Sequence, residues 1–175
     1  MLKPMLVILI LAGAVHAAPK LAITEIMYDP TSPESDDQQT EWVEIQNNGE
    51  TPINLQGYQL TSGTKADPHA ARQRYTFRDV TIAPRAYLVI GIGSPSMYQP
   101  YGLPAFAVYC EEAKYAWFTN SGDSVAIRDA KKSVIDEVIW SNDSPWPITR
   151  NGGSIQFICP AGADHLPPGN ALRFG

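Results

Sequence analysis

Seven carboxylates fall within twenty residues of the stretch EIMYDPTSPESDDQQTEWVEIQNNG (25–49): Glu25, Asp29, Glu34, Asp36, Asp37, Glu41 and Glu44. Residues of this type can do three things. Two of them held together can share acid–base work. Several oxygens can cage a hard cation such as Ca²⁺, which takes six to eight oxygen ligands. A carboxylate near a strand end can also accept backbone N–H bonds and become scaffold. Side chains alternate along a strand, so EWVEIQ (41–46) puts Glu41, Val43 and Ile45 on one face and Trp42, Glu44 and Gln46 on the other. The same count in LAITEIM (21–27) puts Glu25 beside Ile23 and Met27. Glu25 and Glu41 are therefore expected on the inward face and Glu44 outside. A calcium site would join Glu25 and Glu41 to Asp29, Asp36 and Asp37 on the intervening loop. The ordered D-x-D-x-D-G spacing of a dedicated calcium loop is missing, so scaffold is the favoured role.

Other chemistry has weaker support. His69 and His165 lie in loops without a G-x-S-x-G elbow, and Asp67 beside His69 is too ordinary a neighbour to mark a triad. GIGSPS (91–96) has the glycines of a phosphate loop, but Pro95 and the lack of a following helical pattern oppose that role. Catalytic residues are not expected, and neither is a cofactor; calcium is the alternative. Aromatics are in surplus. Trp42 and Trp140 fall within strands and suit core or sheet-covering positions. Tyr98, Tyr101 and Tyr109, with Trp146 in an S-P-W-P turn, exceed what a small core can hold. Exposed rings give large contact area at low entropic cost, so these four are the candidate binding surface, with packing of the insertion on itself the alternative.

The elements that position these residues follow a leader. MLKPMLVILILAGAVHA (1–17) has a lysine near its start, an apolar run and a small-residue end, with Val15 and Ala17 at the positions a signal peptidase reads. The run is shorter than the ~20 residues of a membrane span. Export to a periplasm or beyond the cell is expected, with no membrane span after cleavage. About 158 residues remain of the 175, which suits one domain. Losing Lys3 takes the formal charge from −5 to −6, a poor match for nucleic acid. The expected partner is instead a protein or a cell-surface polymer. In an exported chain Cys110 and Cys159 permit one disulfide. Closing that loop of about 50 residues would stabilise the fold by about 4 kcal/mol in the chain-entropy model.

The apolar rhythm has period two nearly throughout. Strands are expected at 21–27, 41–46, 58–61, 72–77, 86–91, 123–129, 133–140 and 154–158, separated by NNGETP, TSGTKADP, APR, NSGD, DAKK and RNGG. Short, regularly punctuated strands indicate an all-β antiparallel sandwich or barrel. The domain is expected over 18–160. It carries an irregular, proline-bearing insertion near 94–116, and a loosely held tail follows at 161–175.

Four blocks make the pattern specific: ITEIMYDP (23–30), EWVEIQNNGETPINLQGYQLTSG (41–63), TIAPRAYLVI (81–90) and FTNSGDSVAIRDAKKSVIDEVIW (118–140). With these the chain resembles the lamin tail domain, in the form found in exported bacterial proteins, from about residue 21 to 159. The resemblance implies an immunoglobulin-like β-sandwich that recognises or displays something and is not an enzyme. Bacterial relatives often sit beside nuclease, phosphatase or cell-surface domains, so a role as accessory to such an enzyme is a further alternative. The chain departs from the pattern at Tyr58, where the family often has Trp. It departs again at Lys131–Lys132, in place of a Gly-containing hairpin, and in the 94–116 insertion. Such a likeness carries fold further than function.

Overall fold

The computed structural model describes residues 20–30, 40–63, 67, 69–70, 72–98, 108–111, 113, 117–141 and 154–156. In chain order the strands are β1 (Leu21–Met27), β2 (Trp42–Asn47), β3 (Ile53–Asn54), β4 (Gln59–Ser62), β5 (Arg72–Thr76), β6 (Thr81–Ile82), β7 (Tyr87–Ile92), β8 (Val108–Cys110), β9 (Gly122–Arg128), β10 (Val134–Ser141) and β11 (Ile155–Gln156). One sheet has the order β11-β1-β2-β7-β8, a second β10-β9-β4-β5, and β3 pairs with β6 as a small third. Of the sandwich or barrel that the alternation allows, the sandwich forms, immunoglobulin-like as the resemblance implies. Among the described residues no helix is long and apolar enough to cross a membrane.

Alternation explains which residues meet in the middle. Val43 and Ile45 of β2, Ile90 and Ile92 of β7, Leu60 of β4, and Val125 and Ile127 of β9 are all fully buried in one core. Each such side chain contributes roughly 1.5–3 kcal/mol on leaving water. Trp140 of β10 closes one end, its ring 5.4 Å from Tyr28 and 5.3 Å from Phe118. The NLQG corner (54–57) turns on Gly57 at φ +81°. There Asn54 Oδ1 accepts from Gln56 N–H (2.8 Å) and the Leu55 carbonyl from Tyr58 N–H (2.8 Å). In the NSGD turn, Gly122 has φ +126°, and a Cβ on it would lie 2.8 Å from the Trp140 carbonyl oxygen. Only glycine fits there.

Three features depart from the sequence expectation. First, β1 carries a bulge: Ile23 pairs with Ile45 and Glu25 with Glu44, two steps against one. Ile23 and Ile26 are therefore both buried, and Glu25 moves from the expected inward face to the outer one. Second, the 94–116 insertion is not wholly irregular. It holds a 3₁₀ turn at Pro95–Met97 and then β8, which pairs with β7 in parallel, whereas the other pairings among the described residues are antiparallel. Third, β3, β6 and β8 were not expected as strands at all. The leader (1–17), Cys159 and the tail (161–175) lie outside the described residues.

Candidate functional site

The fate of the acids is decided by the backbone around them. Glu41, just before β2, faces inward as alternation requires and is only 2% exposed. Trp117 N–H donates to its Oε2 (2.7 Å) and Phe118 N–H to its Oε1 (3.2 Å). The carboxylate thus holds the segment that leads into β9. Two more buried acids work in the same way. Asp136 of β10 reaches the β1 bulge, where Ile23 N–H donates to its Oδ2 (2.8 Å), and Glu137 N–H donates to its Oδ1 (3.0 Å). Asp123 accepts from Ser124 N–H at Oδ1 (2.7 Å) and from Thr119 N–H at Oδ2 (3.2 Å). Charge-assisted bonds of this type are about twice as strong as neutral ones.

The described residues named for calcium, Glu25, Asp29 and Glu41, each take different partners. Glu41 is in the core, Glu25 takes a hydrogen bond from the Ser154 hydroxyl on the outer face, and Asp29 accepts from Asn120 Nδ2 (2.8 Å). Partial burial raises the Asp29 carboxyl above its ordinary range. Asp36 and Asp37 lie outside the described residues. Among the described residues no group of three His, Cys, Asp or Glu side chains could hold a metal ion.

The expected aromatic surface is likewise redistributed. Tyr98 is 1% exposed and belongs to the core, contrary to expectation. The 3₁₀ turn brings it back against the strands, where its hydroxyl lies 2.6 Å from the Glu41 carbonyl oxygen and 2.9 Å from that of Ile92. Burial pushes its phenol up. Tyr109 on β8 is half-buried, its ring 5.5 Å from that of Tyr98. Tyr101 and Trp146 lie outside the described residues. Cys110 is a buried free thiol, pushed up by that burial, so the expected bridge to Cys159 is not seen. Its partner is outside the described residues.

What the strands do assemble is an outer face that the alternation alone does not reveal. The β1 bulge sets Glu25 directly opposite Glu44, and Glu44 opposite Val89 of β7. Thr24, the extra residue of the bulge, donates to Glu44 Oε1 (2.8 Å). Partial burial raises the Glu44 carboxyl, the Thr24 hydroxyl lowers it, and the neighbouring Glu25 charge raises it again. On β7 the next outward residue is Tyr87, opposite Gln46 and diagonal to Glu44, and 57% exposed. Like charges directly opposite on a sheet are unfavourable, and an exposed ring beside them offers a flat contact surface. Two acids and an exposed ring thus lie together on one face. Sequence reasoning placed Glu44 outward but passed over Tyr87, although alternation about Leu88 puts it outside. The Glu25–Glu44 pairing depends on the bulge.

No curated protein matches the chain. The family model described as Lamin Tail Domain matches residues 14–142, a span that takes in β1 to β10 and stops short of β11, the two-residue edge beside β1. With the match covering most of the sequence and the sandwich in place, the chain belongs to the Lamin Tail Domain family.

Proposed function

We propose that the protein is exported and works without catalysis, as a module that recognises a protein or a surface polymer through the outer face of the β11-β1-β2-β7-β8 sheet. The observation that carries this reading is how the polar groups are used. Glu41, Asp123 and Asp136, the buried acids, accept backbone N–H bonds. They serve the fold and are committed there. Tyr87, Glu25 and Glu44 instead share one sheet face, with Tyr87 largely in solvent. A family of immunoglobulin-like structural domains suits that division.

The test is binding of the purified mature chain to an immobilised panel of peptides and neutral and charged polysaccharides. It is run beside a Tyr87→Ala/Glu44→Gln variant. The reading expects at least one ligand to bind the parent, with binding lost in the variant while its cooperative unfolding is retained. Hydrolysis of phosphodiester or phosphomonoester substrates by the pure protein, abolished by Glu44→Gln, would overturn it.

A further inference from the structure

We infer that the partner segment seated on this face is basic, with an arginine side chain lying over Tyr87 and reaching the Glu25–Glu44 pair. The inference rests on the recognition reading above and names the chemistry of what is recognised.

Three observations carry it. Glu25 and Glu44 are direct cross-strand partners, a placement that brings Cβ atoms to about 4.5–5.5 Å and sets like charges against each other. One cation between them removes that repulsion. Next, the positions paired with Glu44 and Gln46 across the sheet are Val89 and Tyr87, and Glu25 also pairs with Gln156 on β11. None is basic, so no described residue at these registers supplies a counter-charge. Of the described basic residues flanking those strands, Arg85, two residues before Tyr87, pairs with Glu50, and Lys20 lies ahead of β1. Finally, Tyr87 is an exposed ring diagonal to Glu44, a separation of about 7–8 Å that a long side chain spans. A guanidinium both stacks on an aromatic face and forks onto carboxylates, whereas an ammonium offers a compact point charge. The net charge of −5 draws such a segment in from a distance. A neutral glycan would use the ring but leave the two charges opposed, and an anionic polymer would add to them.

The experiment uses the mature chain with dye-labelled hexa-arginine, hexa-lysine and neutral dextran, read by fluorescence anisotropy at physiological salt. Hexa-arginine should bind more tightly than hexa-lysine. Glu25→Gln/Glu44→Gln should weaken it about tenfold or more, and Tyr87→Leu should reduce the preference for arginine over lysine. Both keep shape or apolar character, and melting curves verify folding. The control is Glu111→Gln/Asp79→Asn, which removes the same charge elsewhere and should change affinity less than about twofold. Equal weakening by control and face variants means attraction to net charge alone and overturns the inference. So does dextran binding that Tyr87→Leu abolishes while hexa-arginine ignores Glu25→Gln/Glu44→Gln, although recognition by this face then stands. No binding of any probe on an intact fold overturns the inference, and the panel assay then decides the broader reading separately.

Discussion

Glu41 and Glu44 are three residues apart and have opposite fates. Glu41 is buried and accepts two backbone N–H bonds, from Trp117 and Phe118. Glu44 is half-buried, takes a hydroxyl bond from Thr24, and faces another carboxylate across the strand. The comparison teaches that the number of acids says little about function until their donors are known. A buried carboxylate matched by backbone donors is a fastener. Two carboxylates set opposite each other, each with a hydroxyl donor, are held at a cost that a ligand of the right charge offsets.

The largest effect should come from breaking the fastener. Glu41→Ala leaves two N–H groups without their acceptor in the core, and stability should fall by roughly 3–4 kcal/mol on chemical denaturation. A change near zero would mean that water or a neighbour replaces the carboxylate. Asp136→Ala is the parallel case at the bulge, expected at about 2 kcal/mol, with Ile23 N–H the group left without its charged partner.

Tyr98 sharpens the comparison from the other side. As a core residue whose hydroxyl sits at the Glu41 and Ile92 carbonyls, it should lose roughly 1 kcal/mol on Tyr98→Phe. Tyr98→Ala should lower the melting temperature by many degrees through the lost ring. Unchanged melting for the alanine variant would return the ring to the surface. Metal dependence separates the same residues again. Since Glu25, Asp29 and Glu41 are committed to three different partners, unfolding in millimolar calcium and in chelator should coincide. A clear rise with calcium would show that the acidic stretch gathers around an ion.

The smallest effect concerns the outer pair and carries a sign. The folded-state carboxyl of Glu44 is raised above its ordinary range, so the folded chain holds a proton there that the unfolded chain has released. Its contribution favours folding at low pH and is lost as pH rises from the ordinary carboxylate value through the raised one. Glu44→Gln should thus match the parent in acid and become the more stable form near neutrality. A gap that opens in the reverse direction would show the charged form to be favoured.

Much of this was legible in the residues. Alternation in EWVEIQ, AYLVIG and SVIDEVIW, with turn formers between them, gives the sandwich, and Glu41 faces inward as the count requires. The bulge at Thr24 was not legible, because an extra residue leaves no mark in a seven-residue strand until its partner's register is known. That one step moves Glu25 to the outer face and creates the pair with Glu44. The burial of Tyr98 was hidden for another reason: a ring in a proline-bearing stretch looks like loop until a 3₁₀ turn brings it back against the strands. β8 has three residues, too few for any rhythm to show. Lys132, at φ +69°, marks the reverse case. The unusual Lys131–Lys132 hairpin was visible in the sequence, and the structure adds its conformational cost.

Denaturant unfolding of Glu41→Gln and Glu44→Gln, measured side by side near neutral pH, tests the contrast most directly. The account predicts opposite signs: a clear loss for the first, where charge-assisted backbone bonds weaken, and a small gain for the second, where a partly buried charge is removed and repulsion from Glu25 relieved. Losses of similar size in both would contradict it, since the outer carboxylate would then be a fastener like the inner one.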